Sequence, residues 1–182
     1  MKEVVEFGRA VCYSGYRKNQ GPGEKIYPSK EQILEDLQII VKHNFKYIRM
    51  YDAGVYAERV CQVITENKLP LKLMLGSGNI NEVNNTNCEW NKTVYTEEQL
   101  AERRKHNEDS IERLSKIAQT YSDVIFSVSV GNENTPDWGE NTVPEERLII
   151  YAEKLRKETG KLVTFNEGAL DWPKLGKLVE HL

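Results

Sequence analysis

Val124-Ile125-Phe126-Ser127-Val128-Ser129-Val130-Gly131-Asn132-Glu133 is an apolar run that ends in a polar tail. Val124 to Val130 reads as a buried strand, because it is short, rich in β-branched residues and closed by a glycine. Period-two alternation puts Val124, Phe126, Val128 and Val130 on one face. It puts Ile125, Ser127, Ser129 and Gly131 on the other. Large side chains suit a face covered by helices, and small ones suit the crowded interior of a closed sheet. Carried one step past Gly131, the small-residue parity brings Glu133 to the mouth of that interior.

Outward from this strand, short apolar runs alternate with amphipathic helical patterns, the mark of βα units around a parallel sheet. The other strands are read at Phe7 to Tyr13, Phe45 to Tyr51, Leu71 to Leu75 and Lys161 to Phe165. Ser29-x-x-Gln32 and Thr96-x-x-Gln99 are capping boxes that start two of the helices. Ile33, Leu34, Leu37, Ile40 and Val41 form the inward stripe of the first. Leu100, Ile111, Leu114, Ile117 and Ala118 form that of the second. A helix near Tyr56 to Asn67 turns Val60, Val63 and Ile64 inward, and Pro144 and Gly160 bracket another. A last helix is read from about Pro173. Between the third strand and the Thr96 helix lies a long loop, Gly76 to Thr93, rich in Asn; loops of that length usually carry function or mobility.

The count is five βα units in one domain of 182 residues. Parallel strands with helices between them fit a doubly wound open sheet or a (β/α)₈ barrel. No GxGxxG and no GxxxxGK[ST] is present, which argues against the nucleotide-binding versions of the open sheet. The expected fold is therefore α/β of the barrel type, truncated after about five units. With 29% charged residues, a net charge of −3 and mean hydropathy −0.61, the chain has neither the basic face of a nucleic-acid binder nor a membrane span. The N-terminus shows no apolar segment of an export signal. Cys12, Cys61 and Cys88 lack metal spacing; Cys12 and Cys61 are expected as reduced core residues. No cofactor is expected. Two open sheet edges are expected to favour self-association.

In both architectures ligands gather at the C-terminal ends of the strands. Those ends read Tyr13-Ser14-Gly15-Tyr16-Arg17, Arg49-Met50-Tyr51-Asp52, Gly131-Asn132-Glu133-Asn134 and Asn166-Glu167-Gly168. Trp90, Trp138 and Trp172 fall in the loops or junctions after strands three, four and five. Aromatic walls with Asp, Asn, Glu and Arg between them are what a sugar needs, since pyranose faces present C–H groups and their hydroxyls need polar partners. Each tryptophan read singly is equally an ordinary packing residue at a helix–strand junction. Glu133 is suited to general acid/base work beside Asn132, or else caps Asn134 or Thr135 as a loop carboxylate. Asp52 stands three residues from Arg49, the spacing of a structural ion pair. Glu167 lies one strand over from Glu133, which leaves open an approach to the ~5–5.5 Å carboxyl separation of double displacement at a glycosidic bond.

Three stretches together resemble glycoside hydrolase family 17, the β-1,3-glucanases and glucanosyltransferases of a retaining (β/α)₈ clan. They are Gly8 to Arg17 with Gln20-Gly21-Pro22, Ile48-Arg49-Met50-Tyr51-Asp52-Ala53, and Val130-Gly131-Asn132-Glu133. The resemblance implies Glu133 as general acid/base and Asn132 as its neighbour on the sugar 2-hydroxyl. It implies Tyr13, Tyr51 and Asp52 on the glycone side; Trp138 joins the substrate-binding set from its place in the loop after strand four. Glu167 matches the glutamate of a Ser/Ala-Glu-Pro-Trp stretch, with Gly168 in place of the proline and Trp172 displaced. In this clan the nucleophilic glutamate ends strand seven. The five units read here lack strands six to eight, so the expectation is the N-terminal part of a β-glucan hydrolase or transglycosylase. A non-catalytic carbohydrate-binding or structural βα module is the alternative.

Overall fold

The computed structural model describes residues 5–182; residues 1–4, within the stretch read for an export signal, lie outside it. The chain runs β1 (Arg9–Cys12), α1 (Lys30–Lys42), β2 (Phe45–Met50), α2 (Val55–Glu66), β3 (Lys72–Gly76) and α3 (Glu97–Thr120). It continues β4 (Ile125–Asn132), α4 (Glu145–Thr159), β5 (Leu162–Asn166), a 3₁₀ turn at Trp172–Lys174 and α5 (Gly176–Val179). All five strands are parallel and lie in the order β1-β2-β3-β4-β5. Parallel crossovers are right-handed. A sheet wound always toward the same neighbour therefore collects its helices on one face, and among the described strands there is no reversal of the kind that makes a doubly wound sheet.

Local signals set the helices. Both capping boxes close reciprocally: Gln32 N and Gln99 N donate to the hydroxyls of Ser29 and Thr96, whose own N–H groups donate to the glutamine side chains. Gly160 ends α4 in the left-handed conformation, φ 64°. The C-terminal helix is only four residues long, because Pro173 sits in the 3₁₀ turn and α5 starts after it. No described helix is long and apolar enough to cross a membrane.

Register sorts the strand side chains into two faces. Ile48, Met50, Leu73, Leu75, Val128 and Val163 are buried under the helices with Ile33, Leu37, Val60, Leu114 and Leu155. Tyr47, Arg49, Met74, Ser127, Ser129 and Thr164 occupy the alternate positions on the face without helices. The serine and valine parity expected for β4 holds from Ser127 to Val130. It fails before and after, because β4 carries two bulges. Leu73 pairs with Ile125 while Met74 pairs with Ser127, so one extra residue is inserted. That insertion sends Ile125 into the core and leaves Phe126 on the open face, its ring 5.0 Å from Tyr47. The second bulge lies between Ser129 and Asn132. Cys12 also departs from expectation: it pairs with Arg49 at an open-face position and is exposed, whereas Cys61 is buried in α2.

Ser29→Ala is expected to cost about 1 kcal/mol through the lost cap. Leu114→Ala, at a fully buried α3 position, is expected to cost about 2–5 kcal/mol through cavity formation. Urea denaturation measures both, and equal losses would contradict this division between cap and core.

Candidate active site at the C-terminal strand ends

The second bulge shapes the end of β4. Gly131 has no room for a side chain, since a Cβ there would stand 2.8 Å from the Phe165 ring. Asn132 is thereby returned to the open face opposite Asn166, and its N–H donates to Asn134 Oδ1 at 2.9 Å. The next residue, Glu133, has φ 49°, a left-handed conformation that disfavours side chains by ~1–2 kcal/mol. Its N–H donates to Asn166 O at 2.8 Å. Its side chain is exposed, and no hydrogen bond or ion pair engages its carboxylate among the described residues. Thr135, one of the two groups within its capping reach by spacing, is taken by Glu167 instead.

Asn132 is oriented by Arg49. Nη2 of Arg49 donates to Asn132 Oδ1 at 2.6 Å, and because a guanidinium only donates, the amide nitrogen of Asn132 must face away from it. Arg49 thus reaches from β2 across β3 to β4; Gly76 of β3 packs on the Tyr51 backbone, where a Cβ would lie 2.7 Å from Tyr51 O. The guanidinium carbon also lies 4.4 Å from the centre of the Tyr51 ring, and Tyr51 Oη donates to Cys12 Sγ at 3.2 Å. That hydrogen bond and burial hold the Tyr51 phenol above its ordinary value, and the charge of Glu133 adds to the effect. Cys12, Tyr51, Arg49 and Asn132 thus form one chain of contacts across the open face. Arg49 Nε and Thr164 Oγ1 are buried there without a partner among the described residues. A shallow cavity of about 240 Å³ follows this face between Cys12, Arg49, Met74, Phe126 and Asn166. A larger one, about 590 Å³, lies at the opposite end of the strands between Val41, Lys46, Tyr47, Pro70 and Phe126. The second is apolar and remote from the polar strand ends, so it does not share their chemistry.

The remaining residues singled out in the sequence divide. Asp52 forms no ion pair with Arg49; its Oδ1 accepts from Gly54 N at 2.9 Å at the start of α2. The reason is that Arg49 points to the open face and along it to Asn132. Tyr13 is turned the other way, into the helical layer, where it is 7% exposed and donates to Asp36 Oδ2 at 3.0 Å. Burial, then Tyr56 and Asp36, push its phenol far above the ordinary value. Glu167 accepts from Thr135 N and Oγ1 at 3.1 and 2.7 Å and from Gly168 N at 2.9 Å. It works as a clasp on the loop after Glu133. Trp172 packs edge-on against Phe165 beside the core. Trp90 and Trp138 remain exposed and meet each other, with ring centres 5.9 Å apart.

The loop between β3 and α3 is built around a buried carboxylate that no sequence pattern marks. Glu82 is 1% exposed and accepts from Asn107 Nδ2 at 2.9 Å, Arg147 Nε at 2.8 Å and Tyr151 Oη at 2.5 Å. It joins the loop to α3 and α4. Ser77 Oγ and Asn79 Nδ2 both donate to Val130 O, bracing the strand directly before Gly131. Glu82 sits in an Asn-rich loop with no periodicity, so only the tertiary structure distinguishes it from exposed carboxylates such as Glu89. Among the described residues, no cluster of three His, Cys, Asp or Glu side chains is placed to hold a metal ion. In comparisons with known proteins, no family model matches the chain, and no curated protein matches it.

Glu82→Gln is expected to destabilise the fold by about 3 kcal/mol, the low end for a broken buried pair, because Arg147 keeps Glu108. Thermal and urea unfolding measure it; a change within about 0.5 kcal/mol, typical of surface sites, would remove Glu82 from the framework. Burial pushes the Cys61 thiol up to about 12, so at pH 8 it stays protonated as well as covered. A disulfide reagent at that pH is expected to modify Cys12 alone in the native chain and all three cysteines in urea. Rapid native modification in a Cys12→Ser variant would contradict this.

Proposed function

We propose that these five βα units carry the acid/base half of a retaining glycosidase or transglycosylase acting on β-glucan, β-1,3-linked in the first instance. The observation that carries the reading is Glu133. A carboxylate without a partner among the described residues stands exposed at the C-terminal end of a central parallel strand, in a backbone conformation that glycine would adopt at lower cost. Strain retained at such a place is a pointer to function. The sequential strand order, with no reversal, is that of strands around a (β/α)₈ barrel, whose active sites occupy this end. The resemblance to glycoside hydrolase family 17 assigns the same residue.

In this reading Glu133 donates its proton to the glycosidic oxygen as the bond to the leaving sugar breaks. The Glu133 carboxylate then accepts a proton from water, or from the hydroxyl of an acceptor sugar, as that oxygen attacks the anomeric carbon and displaces the nucleophilic carboxylate that bonded to it when the leaving sugar departed. Asn132 donates from its amide nitrogen to the sugar hydroxyl next to the reacting carbon, its orientation held by Arg49. Tyr51 and Asp52 border the glycone side. Double displacement needs a second carboxylate, and Glu167 is occupied as a clasp. The reading therefore draws the nucleophile from polypeptide outside these five units. Sugar binding without turnover is the second reading, favoured by the exposed Trp90–Trp138 pair, which needs no carboxylate to hold a ring.

In a polypeptide carrying these five units and three more, release of reducing sugar from laminarin-type glucan is expected. Glu133→Gln is expected to lower that rate by about 10²–10⁴-fold, the range of general acid/base catalysis, with the melting temperature unchanged. Glu133→Gly should match that loss while raising stability by up to about 1 kcal/mol through relief of the left-handed φ. Undiminished turnover in Glu133→Gln would overturn the assignment.

A further inference from the structure

We infer that Trp90 and Trp138 together form a second sugar-stacking platform, which receives a ring of a bound oligosaccharide beyond the one at Glu133. This rests on the carbohydrate reading above and extends it to the length of the ligand. The two indoles come from different loops, yet they are 63% and 50% exposed and tilted at 50° with centres 5.9 Å apart. Aromatic side chains of this size usually lose most of their surface on folding. Here the surrounding loops are ordered in a way that leaves both rings out.

Three devices hold them. Asn84 closes the base of the Trp90 loop on Tyr95, its amide donating to Tyr95 O at 2.9 Å and accepting from Tyr95 N at 2.8 Å. Cys88 is the fully buried anchor within that loop. Asn85 Nδ2 crosses to the other loop and reaches Asp137 O at 2.8 Å and Gly139 O at 2.7 Å, the residues on either side of Trp138. Gly139 in turn folds back on the turn that carries Glu133, since a Cβ there would lie 3.5 Å from Glu133 O. Gly139 N donates to Pro136 O at 2.9 Å, so the platform lies beside the turn that carries Glu133. A preorganised aromatic surface binds without the cost of ordering it.

The surroundings select the ligand. Asn87, Glu89 and Asn91 flank Trp90, and Asp137 and Glu140 flank Trp138, all but Asn91 exposed. The indoles are thus apolar faces set in a hydrogen-bonding rim. A protein partner places depleted charge and a contiguous apolar core at the centre of its interface. A pyranose has the opposite layout, with a C–H face framed by hydroxyls, and matches this rim.

The test is titration of the chain itself with laminaribiose and laminarihexaose, followed by tryptophan fluorescence and calorimetry. The hexaose is expected to bind about tenfold tighter than the biose, on the scale of covering one further apolar ring face. Trp90→Ala and Trp138→Ala should each remove most of that advantage, with Trp90→Phe restoring part of it. The double variant should lose the quenching although Trp172 remains. The hexaose advantage is read from binding and the role of Glu133 from turnover, which separates this inference from the catalytic one. If turnover never depends on Glu133 while the Trp variants still lose the hexaose advantage, the platform stands and the acid/base assignment falls. If hexaose binding is the same in the Trp variants, or absent in the unaltered chain, the platform is overturned. The same holds if the variants instead abolish a concentration-dependent dimer seen by light scattering.

Discussion

Each crossover in this chain advances the sheet by one strand toward the same neighbour. Because parallel crossovers keep one hand, the helices that make them accumulate on a single face. That constraint divides the molecule into two chemically distinct sides. The helical face takes the apolar residues of every strand and forms the core around Leu73, Leu75, Val128 and Leu155. The other face is free to carry Arg49, Cys12, Ser129, Asn132 and Asn166, side chains that no helix-covered surface tolerates unpaired. The contacts from Cys12 through Tyr51 and Arg49 to Asn132 exist only because this face is open along its length.

Of the five strands, β4 has the most local deformation. Its first bulge exchanges the faces of Ile125 and Phe126, and its second lets Asn132 rejoin the sheet opposite Asn166. The turn beyond it leaves Glu133 with φ 49°. Such a conformation persists when the surroundings over-determine it. Here Ser77 and Asn79 hold Val130 O, Asn134 holds the N–H of Asn132, Asn166 holds that of Glu133, and Glu167 holds Thr135. The backbone on both sides of the carboxylate is tied, while no described residue engages the carboxylate itself. That asymmetry is what the acid/base reading builds on.

The long loop after β3 is the other half of the arrangement. Its length suggests mobility, yet Ser77, Asn79, Asn81, Glu82 and Cys88 are all buried in it. Glu82 is satisfied by three donors from α3 and α4, which turns a costly buried charge into a joint between a loop and two helices. Trp90 comes from this loop and Trp138 from the loop after β4, and both stay exposed with ring centres 5.9 Å apart.

Periodicity and capping chemistry are local, so the alternation of elements, the two capping boxes, the Gly160 stop and the inward stripes of α1 and α3 can all be read directly from the residues. The polar strand ends, with Asn132, Glu133 and Glu167 among them, are legible for the same reason: strand order along the chain says which end a residue occupies. Side-chain direction at those ends is not. Tyr13 and Cys12 are adjacent in sequence, and pairing register alone sends one into the helical layer and the other to the open face. Arg49 has the spacing of a partner for Asp52 three residues away, and its actual partner is 83 residues distant on β4. By itself the sequence determined which elements form and at which end of the sheet the polar groups gather, because propensity and period depend on near neighbours. Only the tertiary structure decided which of those groups are spent on holding loops and which stay free. That choice depends on bulges, register and long-range hydrogen bonds that no local pattern encodes.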